Sequence, residues 1–214
     1  MPHFRVLIIT PMLKPYTGGA ATYYDTLIES LSKRVPVLVL TRMSKSYPLV
    51  ESKGSLLTYQ VLPPLTPDHP YLSNALCIAV MPIILTFLWI RHRFRLIHLH
   101  CTSGGVTRIG LVWSRFLLVP VVLDVKDYYF NRFIKKANVK YYLALTRRMA
   151  TRLGSCGIPD NRIVVTGSPP PRISRYAMSM KSTAHNTRFI YVGELTKSKG
   201  VPLLLRAFTY ALRL

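Results

Sequence analysis

A doubly wound parallel α/β sheet is the fold this sequence predicts, and three observations predict it. Short β-branched runs alternate with helix-length amphipathic stretches, the pattern that strand–helix–strand crossovers leave in a sequence. A glycine pair, Gly18 and Gly19, separates the first apolar run from the first amphipathic one. Hydrophobic residues make up 50% of the 214 positions and charged residues only 17%, which excludes disorder and provides for a sizeable core.

The first buried strand is the apolar run 6–9. A helix over 20–32 follows, with Leu27, Ile28 and Leu31 on one stripe. Residues 35–40 form a second strand, with Pro36 tolerated only near its start. Residues 56–62 form a third, stopped by Pro63 and Pro64. After an apolar helix come a strand over 96–100, a helix near 107–118 and a strand over 121–125. A strand over 141–145, a helix over 147–156 and a strand over 163–165 complete a first domain, 1–167. Three prolines, Pro169, Pro170 and Pro171, then break the pattern, and 168–187 reads as a linker. A fresh unit opens with a strand over 189–192, a loop from Gly193 to Gly200 and a helix from Val201 whose first turn suits Pro202. The expectation is a second Rossmann-like domain that has started and not finished, over 188–214.

The charge balance is lopsided. Twenty-nine Lys and Arg face eight Asp and Glu, a net charge of +21, and residues 91–180 alone hold 16 basic against three acidic side chains. Such a surface seeks polyanions: nucleic acid, anionic headgroups or phosphorylated small molecules. Few acids also argue against paired-carboxylate hydrolysis and acidic metal cages. Three widely spaced cysteines, Cys77, Cys101 and Cys156, exclude a disulfide framework or zinc ribbon. The N-terminal apolar run is too short for a signal-peptide core, so a cytoplasmic setting is expected.

Residues 71–90 contain no charge, and sixteen of the twenty are apolar. A membrane span, a buried helix and a helix in the membrane interface all fit that length and composition. Pro82 and the strands on either side oppose a span. The flanking Arg91, Arg93 and Arg95 favour an interfacial helix facing anionic lipid on the inner side of the membrane.

Four groups of residues could carry chemistry. Gly18 and Gly19 precede a helix N-terminus, where backbone N–H groups can meet an anion; a plain turn is the alternative. The dinucleotide fingerprint is absent, so NAD is not expected. His98 and His100 share one strand face; with no third ligand at a useful spacing, packed or hydrogen-bonded histidines are favoured over a metal pair. His100 stands at a strand's C-terminal end, where ligands of open α/β sheets gather. Lys126 and Asp127 stand at the end of the next strand, as a site pair or a surface ion pair.

The ordered set of these pieces resembles family-4 glycosyltransferases. The run 6–11 with Thr17-Gly18-Gly19-Ala20 is similar to their opening. The strand ending at His100, with 120–127, resembles their paired central strands. Residues 143–165 look like the exit from their first domain, and 191–208 like the start of their nucleotide-sugar domain. The resemblance implies a GT-B architecture of two Rossmann-like domains. The first binds a sugar or lipid-linked sugar acceptor and the second a nucleotide-sugar donor. Transfer proceeds with retained anomeric configuration and usually without a metal, so neither cofactor nor metal is expected. Lys199 matches the diphosphate-binding lysine, within a loop that begins at Gly193, and Gly18 and Gly19 match the glycine loop beside the cleft.

Some positions depart from that pattern. Glu194 stands where the family often has arginine, and Lys126 where many members place a catalytic histidine. Ser168 and Pro169 replace Asn-Gly, and the paired-glutamate motif is not found within 1–214. The reading is the N-terminal part of a retaining glycosyltransferase of cell-surface polysaccharide or glycolipid synthesis, expected to be inactive alone, with a separately encoded second domain among its candidate partners and a natural fragment, a split enzyme or a pseudogene product all left open. The alternatives are a basic nucleic-acid-binding α/β protein, for which no recognition helix or aromatic-basic module appears, and an inactive membrane- or partner-binding remnant.

Overall fold

A computed structural model describes residues 6–11, 13–16, 18–64, 70–101, 105–126, 134–135, 138–167, 189–193, 195 and 197–211. The expected linker 168–187, Asp127 and Glu194 lie outside the described residues. The chain divides into two compact units, Met1–Pro169 and Pro170–Leu214.

The first unit is built from β1 (Val6–Ile9), α1 (Gly19–Ser32), β2 (Val37–Arg42), β3 (Val50–Lys53), β4 (Leu56–Leu62) and α2 (Pro70–His92). β5 (Leu96–Cys101), α3 (Gly105–Phe116), β6 (Val121–Val125), β7 (Val139–Ala144), α4 (Arg147–Ser155) and β8 (Ile163–Val165) complete it. The strands form one sheet in the order β3-β4-β2-β1-β5-β6-β7-β8. All pairings are parallel except the edge, where β3 runs antiparallel to β4. The doubly wound parallel sheet of the sequence reading is therefore borne out, with one antiparallel strand added at its edge. Its extra strand is a hairpin arm turned at Gly54, whose φ of 59° suits a residue without a side chain. β2 begins at Val37, after Pro36, which cannot donate a ladder hydrogen bond.

Helices cover the two faces unequally. On one face α1 inserts Tyr24 and Ile28 over Ile8, Val37 and Val39. On the other, α2, α3 and α4 contribute Met81, Leu85, Leu111, Met149 and Leu153 to a core over Leu7, Leu38, Leu99 and Leu123. The expected helix over 107–118 begins at Gly105 and ends at Phe116, because Leu118 turns left-handed with φ 55°. α4 starts where Thr146 accepts a hydrogen bond from the Met149 N–H, a side-chain N-cap.

α2 is the one described helix long and apolar enough to cross a membrane, with mean hydropathy 2.0. It is also the crossover between β4 and β5, which belong to one sheet, so no bilayer separates them. Its row Ser73, Cys77, Met81, Leu85, Leu88 and His92 is buried. Pro82 sits within the helix without ending it. Buried Arg42 clamps the start of α2 through hydrogen bonds to Pro63 O, Ser73 Oγ and Asn74 Oδ1 at 2.8–3.0 Å.

In the second unit, residues 189–192 form no strand, correcting the sequence reading. Among the described residues none lies beside them in a ladder, and Phe189, Ile190 and Val192 are exposed, so an apolar run alone did not make a strand. A 3-10 turn at Lys197–Lys199 leads into α5 (Val201–Ala211), and the Phe189 ring meets Phe208 edge-on at 5.5 Å.

Candidate functional site

Because the order runs outward from β1 to β2 and β4 and then returns to β5 on β1's other side, the strand order reverses between β1 and β5. In open α/β sheets, ligands bind in the crevice at the C-terminal ends of the strands flanking such a reversal. Here Thr10 follows β1, His100 nears the end of β5, and Lys126 follows β6. Register puts their neighbours on one face. Ile8 pairs with His98, and His100 with Asp124, so both histidines and Asp124 point toward α1.

Asp124 is the hub. It is fully buried, and its Oδ2 accepts hydrogen bonds from Tyr24 Oη at 2.9 Å and His98 Nε2 at 3.3 Å. Since a carboxylate only accepts, His98 carries its proton on Nε2. Oδ1 faces the Lys126 ammonium at 3.0 Å, an ion pair whose angles fall short of a directed hydrogen bond. The Lys126 side chain is 9% exposed, and its Nζ lies 3.2 Å from the centre of the Tyr23 ring, a cation–π contact. Thr10 Oγ1 lies 3.2 Å from His100 Nδ1, Thr107 Oγ1 donates to the His100 carbonyl, and the rings of Tyr24 and His100 are 4.7 Å apart.

These contacts set the charges. Burial alone would raise the Asp124 carboxyl, but the hydrogen bond and charge of His98 and the Lys126 ammonium outweigh it and hold the pKa below the ordinary value. Burial pulls the Lys126 ammonium down, opposed by Asp124. Burial drives the His100 imidazole down to about 4, with Asp124 opposing and Lys126 and His98 assisting, so this ring is neutral at pH 7. Burial and then Asp124 push the Tyr23 phenol up to about 12, and Tyr24 rises well above its usual value for the same reasons. The result is one buried carboxylate ion-paired to one cation at the C-terminal edge of the sheet, with a neutral imidazole beside them. Such a set can hold an anion or orient a hydroxyl; His100 is too weakly basic to take its proton at neutral pH.

The sequence-predicted residues fall into separate places. Lys126 and His100 share the Asp124 cluster. Gly18 is the N-cap of α1, with φ 125°, a backbone state that side chains disfavour. An added Cβ at Gly19 would meet nothing within 4 Å, so internal packing gives that position no reason to be glycine. Arg91, Arg93 and Arg95 are exposed at the end of α2. Gly193 and Lys199 belong to the second unit, where a Cβ at Gly193 would sit 2.9 Å from Tyr191 Oη and Lys199 is exposed in the 3-10 turn. Asp124, Tyr23 and Tyr24 were missed as site residues. The signal for Asp124 was an acid inside an otherwise apolar strand, which requires a buried partner. Among the described residues no three His, Cys, Asp or Glu side chains gather as a metal site.

Fold and site together define a GT-B-like, Rossmann-type α/β unit with a polar cluster at its C-terminal strand edge. Comparison with solved structures agrees on the fold. A UDP-N-acetylglucosamine 2-epimerase from Rickettsia bellii superposes with TM-score 0.53 at 10% identity, over 78% of this chain and 45% of that one. The UDP-GlcNAc 2-epimerase from Neisseria meningitidis, bound to UDP-GlcNAc, gives 0.53 at 15%, over 77% and 46%. A sucrose-phosphate synthase from Thermosynechococcus elongatus gives 0.51 at 13%, over 70% and 80%. The chain thus spans less than half the length of the two epimerases. At these identities the likeness is one of fold. No protein-family model matches the sequence, nor does any curated protein.

Proposed function

We propose that this chain is the acceptor-side part of a retaining, nucleotide-sugar-dependent glycosyltransferase of the family-4 kind, acting in cell-surface polysaccharide or glycolipid synthesis. The observation that carries the reading is the Asp124–Lys126 ion pair at the C-terminal edge of a GT-B-like sheet, at the place where sheets of this topology bind ligands. The fold likeness to enzymes of nucleotide sugars supports it.

In the reaction, the bond from the donor's anomeric carbon to the diphosphate breaks, a bond to the acceptor hydroxyl oxygen forms on the same face, and the hydroxyl proton passes to the departing diphosphate, which leaves as the nucleoside diphosphate. Lys126, pinned by Asp124, orients the acceptor hydroxyl and stabilises negative charge developing beside it. His100 supplies a neutral hydrogen-bonding ring. Gly18 and Gly19 leave the backbone N–H groups of the α1 N-terminus open to a substrate phosphate. Lys199, with the Gly193 loop, holds the departing diphosphate, and Asp127 is placed with Lys126 in the catalytic group.

The test is sugar transfer from radiolabelled nucleotide sugars, using 1–214 alone and supplied with a complete nucleotide-binding unit. The chain alone should show no turnover. In the completed enzyme, Lys126→Ala should lower kcat by about 10²–10³-fold, the scale of losing one preorganised charge-stabilising donor. Lys199→Ala should lower it strongly as well, while Glu194→Arg should leave it equal or higher. Full activity of Lys126→Ala would remove Lys126 from the mechanism.

A further inference from the structure

A helix packed on a sheet ordinarily confines its apolar residues to one stripe. α2 does not. Opposite its buried row, the residues Leu72, Leu76, Ala79, Ile83, Phe87 and Ile90 follow the same three-and-four spacing, and all are exposed. Ile83 is 73% exposed and Ile90 58%, so this outward row is apolar side chain in contact with water.

α3 runs parallel beside α2. Ile78 abuts Gly105, Trp113 Nε1 donates to Thr86 Oγ1 at 2.8 Å, and Trp89 lines one depression with Leu117. The C-terminal ends of the two helices therefore share one end of the layer, where Phe116 and Leu118 extend the apolar surface at 72% and 84% exposure. Both helices finish on a left-handed residue, Arg93 with φ 50° and Leu118 with φ 55°. Glycine is the usual occupant of that position. These two instead place a cation and a large apolar side chain at the tip.

Charge decides the partner. From residue 69 to residue 123 there is no Asp or Glu, and there are five arginines: Arg91, Arg93, Arg95, Arg108 and Arg115. All five are exposed. We infer that the outward row of α2, continued by the end of α3, docks into the interface of an anionic lipid bilayer, with α2 lying in the plane of the surface. A 23-residue helix offers about 34 Å of contact length. A second copy of this chain would bring arginines against arginines, and a nucleic acid would leave the apolar row in water. The inference goes beyond the proposed transferase and does not depend on it.

Vesicle flotation of the 1–214 chain tests it, with phosphatidylcholine vesicles either pure or mixed with phosphatidylglycerol. Binding to the mixed vesicles, weakened by salt, is expected, with a blue shift of tryptophan emission, since both tryptophans lie on α2 and α3. Glutamine at 91, 93, 95 and 115 together should weaken binding at least tenfold; a ceiling of about fivefold per arginine follows from 1 kcal/mol each. Ile83→Asp with Phe87→Asp, at exposed positions that leave the core intact by circular dichroism, should weaken binding at least tenfold. Equal binding to pure phosphatidylcholine, no binding to either vesicle, or indifference to the aspartates would overturn the proposal. So would a vesicle-free dimer abolished by Ile83→Asp, or RNA retention in place of vesicle binding. Any of these results leaves sugar transfer to be judged by its own assay.

Discussion

Alanine at position 124 should destabilise the first unit by about 3–5 kcal/mol, the loss expected when one partner of a buried ion pair is removed. The carboxylate is fully buried and serves Tyr24, His98 and Lys126 at once. Without it, the phenol and imidazole lose their acceptor, and an ammonium only 9% exposed keeps its charge with no counterion. Urea denaturation of the purified chain, followed by the fluorescence of Trp89 and Trp113, gives the number directly. Asp124→Asn should fall between alanine and the native residue, because its carbonyl still accepts from Tyr24. Asp124→Leu with Lys126→Met should recover at least half the loss, since apolar replacement of a buried pair is often neutral or better. A midpoint for Asp124→Ala within about 1 kcal/mol of the native one would show that the cluster does not hold α1 to the sheet.

Acidification should act through His100. In the unfolded chain its imidazole protonates near the ordinary value of 6.5; in the folded chain it does so only near 4. Between those values the unfolded state binds more protons, so stability falls as pH falls. The loss should total on the order of 3 kcal/mol by pH 4, with no contribution from this residue above pH 6.5. His92, lowered by burial and by Arg91, adds a smaller loss of the same sign. Asp124, whose folded pKa lies below its ordinary 3.8, contributes stability that disappears only at still lower pH. Denaturation midpoints from pH 7.5 down to pH 4.5 should therefore slope steeply. His100→Asn, which can still bond Thr10, should be less stable at pH 7.5 but should flatten that slope. Equal stability of the native chain at pH 7.5 and pH 5 would contradict a buried neutral imidazole.

Much of this architecture was legible in the sequence because burial writes itself into hydrophobic runs. β1, β5 and β6 are internal strands, and their apolar runs marked them. β3 was not legible: Val50, Glu51, Ser52 and Lys53 form a short, largely exposed edge that resembles a loop in composition. The reverse error came at Phe189–Val192, where four apolar residues carried the pattern of a strand but, among the described residues, none pairs with them. The candidate site was half legible. His100 and Lys126 could be placed at strand ends by counting, yet the bond between Tyr24 and Asp124 joins residues 100 positions apart, and no local spacing encodes it. The outward row of α2 was hidden differently, since an apolar run does not say which of its faces is covered.

The position of β1 has a consequence for synthesis. Its two neighbours are β2 and β5, and residues 10–95 must be added after β1 before β5 begins to appear. At roughly 5–20 residues per second, β1, a wholly apolar strand, spends several seconds with an unpaired edge during translation. For that interval the nascent chain presents a row of free N–H and C=O groups flanked by Leu7, Ile8 and Ile9, a template for pairing with another chain. Slower translation lengthens the exposure and chaperone capture shortens it, so yield of the intact chain should depend on expression rate more than on the stability of the finished fold.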